Sequence, residues 1–513
     1  MLNNRIIEYS VEGLTWTDAS LWQQFNALHE ADPQALAAVD GTAREWSRSE
    51  LYEMATRIAK ELSASGVGAY DRVMVEGRKT ANILAAALAI SSVGAVACPY
   101  TPDLGKSERG VIEQRLGHVA IIGSSEVDAK AIPGVEGLYL SLCERQDRTW
   151  DDADKKAALI AFTSGTTGIP KGVMHSVYGM NYATRACAKV AGLEPGDAIV
   201  GVVPLGSAPG FTFTLHFSLS LGHPLIIVDA WDPRRALELM DAHNCRWGMC
   251  VPTHLHTMVE CARSGQWTKR SPLKALAVGG SAMTSQLIAD ADALLGIPVL
   301  RMYGMSECMG HCSALPTDSL EVRQNSDGKP FPGTQDQALD AQFNPLPVGE
   351  RGQAGVKGPS LFLKYAEGLG SQEYRLTGNG YFLTGDEIIV GQDGYIKVVG
   401  RLKDQIIRGG YNVDPAEVEA AVLKHPAIED AVVVGVPDSK LGEQACAICV
   451  IRSGFPTLQL ADLTAHMEAV GLTKKKWPEH LVIVDKMPVT TTGKVDKKTL
   501  QKNAIALLTA GHI

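Results

Sequence analysis

Residues 225–261 read LIIVDAWDPRRALELMDAHNCRWGMCVPTHLHTMVEC, and two hydrophobic rhythms alternate along them. Leu225 to Val228 and Trp247 to Val251 are short apolar runs, whereas Pro233 to His243 and Thr253 to Cys261 are longer and amphipathic. A short apolar run suits a strand buried on both faces, and the amphipathic stretch after it suits a helix laid across that strand. Working outward, Val73 to Val75 leads into the apolar stretch Ile83 to Cys98, and Ala157 to Phe162 and Leu276 to Val278 are further strand-like runs. This rhythm predicts an α/β fold of layered sheets with substantial parallel pairing. From about Pro330 to Pro359 the texture turns to Gly, Pro and short strand-like segments, which predicts a β-rich subdomain.

A chain of 513 residues exceeds what one hydrophobic core holds. The expected division falls near Arg401 to Asp404, giving a large N-terminal domain over residues 1–402 and a small α+β domain over residues 403–513. The formal net charge of −9 argues against a nucleic-acid binder, which usually shows a basic field. Residues 403–513 are neutral, with 13 basic and 13 acidic side chains, and their end is lysine-rich: a solvated face, or one that meets polyphosphate.

The ten cysteines are scattered rather than arranged as a disulfide framework, which points to a reducing, cytoplasmic setting. Cys308, His311 and Cys312 lack the CxxC partner of a zinc site and read as packed residues. The opening MLNNRIIEYS has no apolar core, so it does not read as a secretory signal. Ile83 to Cys98 falls short of the roughly 20 residues of a membrane span and is broken by Ser91, Ser92 and Gly94. It reads as a helix passing into a strand, so no membrane span is expected.

The most specific local signal is TSGTTGIPKG, Thr163 to Gly172. Its glycines let the backbone turn N–H groups inward, and its hydroxyls and Lys171 add donors and a positive charge, a composition suited to polyphosphate. The spacing is not that of a Walker A loop; read alone, a flexible surface loop fits as well. Further on stand Gly279-Gly-Ser-Ala-Met283, Tyr303-Gly-Met-Ser-Glu307, Tyr381-Phe-Leu-Thr-Gly-Asp386, Gly400-Arg-Leu-Lys-Asp404, Ile406 to Asn412 with Gly409 and Gly410, and Thr490-Thr-Thr-Gly-Lys494. A Tyr can stack on a purine, and Glu is a hard oxygen ligand for Mg2+. One Asp carboxylate can accept hydrogen bonds from two neighbouring hydroxyls.

In this order, from about residue 30 to about residue 500, these segments resemble the adenylate-forming superfamily of acyl-CoA synthetases, nonribosomal-peptide adenylation domains and firefly luciferase. The resemblance implies ATP, Mg2+ and coenzyme A as the bound groups. It implies a phosphate loop of Thr163, Ser164, Gly165, Thr166, Thr167, Gly168 and Lys171. Gly279, Gly280, Ser281 and Ala282 would line the adenine and the acyl carboxylate, with Gly304 beside them. Tyr303 would stack on the purine, Ser306 reach a phosphate and Glu307 hold Mg2+. Asp386 would bind the ribose, with Arg401 on ribose or phosphate. Lys403 would be the hinge of a mobile C-terminal domain that carries Lys494 to the reacting carboxylate. Gly409 and Gly410 would lie along a phosphopantetheine arm.

The implied reaction is attack of a carboxylate on the α-phosphorus of ATP, loss of pyrophosphate, then attack of a thiol on the acyl-adenylate with loss of AMP. Anion meets anion in the first step, so catalysis rests on positioning and on neutralisation by Mg2+, Lys171 and Lys494. Neither a GxSxG elbow nor a GxGxxG loop is present. The clearest departure is Pro204-Leu-Gly-Ser-Ala-Pro-Gly210, where Gly206 and Ser207 stand in place of an aromatic residue and a His. Their smallness predicts an enlarged acyl pocket; Phe211, Phe213 and Leu215 either line it or are buried as sheet residues. The absence of Asp and Asn from Ala208 to Ser220 favours an apolar acid. Loading of a carrier protein, a luciferase-like oxygenase without further sequence support, and a binding protein that has lost catalysis are the other readings.

Overall fold

The computed structural model describes residues 6–125, 127–145, 149–163, 170–281, 283–369, 376–409, 411–490 and 493–510, with backbone alone at 403 and 412. The rhythm of residues 225–261 becomes strand Leu225–Ile227, helix Pro233–Ala242, strand Trp247–Cys250 and helix Pro252–Arg263. These belong to a nine-stranded sheet in which the pairings from Val299–Tyr303 through Ala275–Gly279, Trp247–Cys250, Ile199–Gly201, Leu225–Ile227 and Leu36–Val39 are all parallel. An eight-stranded sheet carries Val96–Tyr100, Arg72–Glu76 and Ala120–Gly123 in parallel. The apolar stretch from Ile83 is the helix Ala81–Ser92, buried along nearly its whole length, followed by strand Val96–Tyr100. No helix among the described residues is long and apolar enough to cross a membrane.

The β-rich segment is a four-stranded antiparallel sheet of Gln335–Leu339, Arg351–Lys357, Phe382–Val390 and Ile396–Arg401. A single turn of 3-10 helix, Leu402–Asp404, leads out of it. Strands Ile406–Arg408, Tyr411–Val413, Ile428–Asp438, Gly442–Ile451 and His480–Ile483 then form a separate sheet, flanked by helices Pro415–Val422, Leu460–Ala469 and Lys497–Thr509. Its buried cluster, with Val418, Val433, Ala447 and Leu463, draws only on residues from Ile406 onward.

The two large sheets meet just beyond the C-terminal ends of their parallel strands, and backbone touches backbone there. A Cβ on Gly206 would lie 2.4 Å from the carbonyl carbon and oxygen of Tyr100, and one on Gly77 would lie 2.3 Å from the nitrogen of Gly206. Lys79 joins the same seam: its Nζ donates to the carbonyls of Val202 and Val228, each at 2.8 Å. Burial pushes the Lys79 ammonium down to about 8, against the opposing pull of Asp229.

This geometry corrects the expectation for the acyl pocket. Gly206 is small because two backbone segments pass in contact, so its missing side chain does not enlarge a cavity. Ser207 is a buried cap, donating to the Pro204 carbonyl at 2.7 Å and accepting from Gly210 N at 3.2 Å. Gly206→Ala is therefore expected to destabilise the protein by about 1–3 kcal/mol, the range for overpacking. Thermal unfolding checks this; an unchanged melting temperature would contradict it.

Candidate active site

Strands Ala157–Thr163 and Lys171–Ser176 form an antiparallel hairpin in which Thr163 pairs with Lys171. Ser164, Gly165, Thr166, Thr167 and Gly168 lie outside the described residues, as do Ala282 and Gly410. At the base of the hairpin, Lys171 Nζ sits 3.5 Å from Glu307 Oε1 and 3.3 Å from the Tyr365 hydroxyl. Tyr365 donates to the same Glu307 oxygen at 2.7 Å. Tyr365 reaches this place through a strand of only two residues, Lys364–Tyr365, which pairs with the lysine strand by Val173↔Tyr365. Its neighbour Lys364 is tied to Asp151 and Asp154, which pins the short strand from its other side. Glu307 is buried, and Oε1 takes both of these contacts, which leaves Oε2 as an acceptor. His175 fixes the loop from beneath, its Nε2 lying 2.7 Å from the Ser306 carbonyl. Burial pushes this imidazole down to about 4, so it is neutral and donates.

Strand Val299–Tyr303 ends in a second cluster. The Tyr303 hydroxyl donates to Asp386 Oδ2 at 2.9 Å, and Arg401 Nε donates to Asp386 Oδ1 at 2.7 Å. Asp386 and Arg401 face each other across the antiparallel pair Phe382–Val390 and Ile396–Arg401. Each carboxylate oxygen keeps a second lone pair, so Asp386 is oriented without being saturated. Edge-on to the Tyr303 ring lies His311, with centroids 4.8 Å apart. Its Nε2 faces Asp336 Oδ1 at 3.1 Å and its Nδ1 faces the Cys308 carbonyl at 3.4 Å. Two acceptors require two N–H groups, which makes His311 an imidazolium. Burial opposes that charge, but Cys308 and Asp336 together hold it well above the usual histidine range. No group of three or more His, Cys, Asp or Glu suited to a metal occurs among the described residues, and Cys308, His311 and Cys312 are all fully buried.

The third component comes from the C-terminal domain, between strand His480–Ile483 and helix Lys497–Thr509. Thr490 N donates to the Lys494 carbonyl at 2.7 Å and Gly493 N to the Thr490 carbonyl at 2.8 Å, closing a tight turn with Gly493 at φ 79°. The turn lies against the large domain, and the Lys494 stem crosses Gly280, where a Cβ would stand 2.6 Å from Lys494 Cε. Gly280 also sits at φ 92°, so both its backbone and its neighbour exclude a side chain. Burial lowers the Lys494 ammonium, and the positive charge of Arg401 lowers it further. Among the described residues no acceptor meets its Nζ.

The structure thus brings Lys171 to Glu307, Tyr303 to Asp386 and Arg401, and Lys494 to Gly280. Gly279 and Gly304 make close backbone approaches, to the Met302 carbonyl and to Gly310, and Phe211 is buried at the head of a π-helical turn, Phe211–His216. Gly409, at φ 56°, donates to the Leu441 carbonyl within its own sheet rather than to these groups. Ser281 follows Gly280 out of strand Ala275–Gly279, and Lys403 lies in the 3-10 turn after Arg401. Tyr365, Asp336 and the role of His311 were not legible in the sequence.

Asp336→Asn leaves the His311 charge buried without its counter-ion and is expected to cost about 3–5 kcal/mol at neutral pH. A raised folded pKa gives stability that is complete below the unfolded value and fades as pH rises through the folded one. The gap between wild type and variant in urea unfolding should therefore shrink on the alkaline side; a gap independent of pH would contradict an imidazolium.

Comparison with known proteins follows the same lines as the geometry. The AMP-binding enzyme family matches residues 25–366, and the AMP-binding enzyme C-terminal domain matches residues 417–494. The medium-chain fatty-acid–CoA ligase of Escherichia coli (strain K12) is 29% identical over 98% of this chain and 93% of its own length. A salicylyl-CoA synthase / salicylate adenylyltransferase of a Streptomyces species is 28% identical over 74% of this chain and 68% of its own. ATP-bound MatB from Rhodopseudomonas palustris superposes with a TM-score of 0.80 at 25% identity, covering 95% of this chain and 100% of that one. The same protein without ligand superposes at 0.70, with 26% identity and the same coverage. With two thirds of its length matched by the one family and its end by the companion domain, this chain belongs to the AMP-binding enzymes of the adenylate-forming superfamily and is an adenylating ligase.

Proposed function

We propose that this protein is an acyl-CoA ligase that activates an apolar carboxylic acid with ATP and Mg2+ to an acyl-adenylate, then transfers the acyl group to coenzyme A. The observation that supports it most is the meeting of Lys494 with Gly280 beside Arg401. Arg401 is paired with Asp386, whereas Lys494, near enough to be lowered by the charge of Arg401, has no anion of its own among the described residues. A buried cation left in this state attracts an anion and stabilises charge that builds up as a carboxylate approaches a phosphate.

In this reading Asp386, steadied by Tyr303 and Arg401, accepts the ribose hydroxyls, and the Tyr303 ring lies along the purine. Ser306 and the loop from Thr163 to Gly168 take phosphates. Glu307 suits Mg2+: a buried hard carboxylate with one oxygen committed to Tyr365 and the other directed elsewhere. A single side chain is enough, because Mg2+ takes its remaining ligands from phosphates and water, and when bound the ion neutralises phosphate oxygens. Lys171 can exchange its contacts with Glu307 and Tyr365 for a phosphate. Lys494 steadies the carboxylate and the α-phosphate while pyrophosphate leaves. Phe211, Phe213 and Leu215 are all buried, and an apolar acid fits their surroundings better than a charged one. For the second step, the C-terminal domain, residues 403–513, turns about Lys403 and presents Gly409 and Gly410 to the thiol.

A second reading shares every step up to the acyl-adenylate and loads a carrier-protein phosphopantetheine. A relative named for its acyl–AMP product alone, the vibriobactin-specific 2,3-dihydroxybenzoate-AMP ligase of Vibrio cholerae, is the observation that favours an acceptor other than coenzyme A. Rates of thioester formation with coenzyme A and with a holo carrier protein separate the two, and transfer to the carrier alone would overturn the first.

Asp386→Ala is expected to weaken ATP use severely, since each charge-assisted hydrogen bond lost is worth roughly 1.5–3 kcal/mol. A wild-type Michaelis constant for ATP together with a wild-type turnover would sink the ribose assignment. Lys494→Ala should slow acyl-adenylate formation by roughly 10²–10³-fold, the cost of one preorganised donor. The same variant, supplied with synthetic acyl-adenylate and coenzyme A, should still make thioester; equal losses in both steps would remove the division of labour.

A further inference from the structure

Lys494 acts in the proposed reaction only while its turn is docked on the large domain. The docking surface is the first turn of helix Pro252–Arg263. Thr253 stands at its second position, where no carbonyl of a preceding helical turn is present to accept from its hydroxyl. Instead its Oγ1 donates to the carbonyl of Gly493 at 2.8 Å, across 240 residues of sequence. Beside it, His254 and Val251 close over Gly493: a Cβ there would lie 3.3 Å from Val251 and 3.7 Å from the His254 ring. The His254 ring is itself held against Trp231, with centroids 4.3 Å apart. One turn on, His256 lies 3.4 Å from Glu429 of the C-terminal sheet. Residues 253 and 256 are three apart, so both belong to one helical face, and that face meets the C-terminal domain.

We infer that Thr253 is a positioning residue for acyl-adenylate formation: its hydroxyl grips the Gly493 carbonyl and so delivers the Lys494 side chain over Gly280. Thr253 has no contact with the reacting atoms in this scheme. It acts through Lys494, and nothing in the transfer to a thiol calls for it. The inference rests on the role proposed above for Lys494. The grip itself is a physical contact that can be measured whether or not that role is right.

Two measurements on full-length protein test it. Thr253→Val removes the hydroxyl and keeps the shape, and Thr253→Ser keeps the hydroxyl. The first readout is limited trypsin cleavage after Lys494, resolved by mass spectrometry. An undocked turn is an exposed loop tip of the kind proteases nick, and a docked one is shielded. Cleavage there should be slow in wild type and Thr253→Ser and faster in Thr253→Val. The second readout is the pair of half-reactions. Acyl-adenylate formation should fall by about three- to tenfold in Thr253→Val, the value of one neutral hydrogen bond, with the Michaelis constant for the acid unchanged. Thioester formation from supplied acyl-adenylate should be unaltered, and Thr253→Ser should restore the first step. Equal cleavage in wild type and Thr253→Val, or equal slowing of both half-reactions, would overturn the inference. Altered cleavage in a protein whose wild type forms no acyl-adenylate would keep the grip and reject the ligase reading alone.

Discussion

A lysine carried on the C-terminal domain must enter a crevice built by the large one, and it does so only because residue 280 has no side chain. The Lys494 stem occupies the space where a Cβ would stand. Ordering a long flexible side chain costs up to roughly 2 kcal/mol, and moving its charge out of water costs more. The structure offsets little of this with direct partners: burial and Arg401 both push against the ammonium. Such an imbalance favours an anion beside the ammonium, since a phosphate or carboxylate relieves both terms at once. A site fully neutralised by its own carboxylates would have no such bias.

The carboxylates are held apart from Lys494 by bonds of their own. Asp386 is engaged by Tyr303 and Arg401, and Glu307 by Tyr365 and Lys171, so each presents its remaining lone pairs in a fixed direction. Behind them the His311–Asp336 pair and the carbonyl bond from His175 stiffen the segment between Tyr303 and Ser313, which carries Gly304, Ser306 and Glu307. The seam of Gly77, Gly206 and Lys79 fixes how the two large sheets face each other just past their strand ends, where crevices in α/β folds form. Preorganisation of this sort is what electrostatic catalysis requires, because dipoles already in place need not be reoriented as charge develops.

Much of this is legible in the sequence alone. The strands at Leu225, Trp247 and Leu276 and the helices between them follow from apolar period alone, because burial on both faces leaves a local trace. Gly280, Tyr303, Glu307, Asp386, Arg401 and Lys494 stood out as motif members, although only geometry showed which of them touch. What the sequence concealed are contacts between distant segments. Tyr365 bonds a lysine 194 residues away, and nothing near a lone Lys-Tyr pair announces it. Gly206 was misread for the same reason: a missing side chain looks like open space in one dimension, whereas in three it marks where another backbone passes.

The central claim is that this site joins an acid to the α-phosphate of ATP, and acid-dependent ATP–pyrophosphate exchange measures that step with no thiol present. Across a panel of carboxylic acids graded in size and polarity, exchange is expected to require both the acid and Mg2+ and to be fastest with apolar acids. Normal ATP binding with no exchange for any acid in the panel would contradict it and leave a nucleotide-binding protein of the same fold.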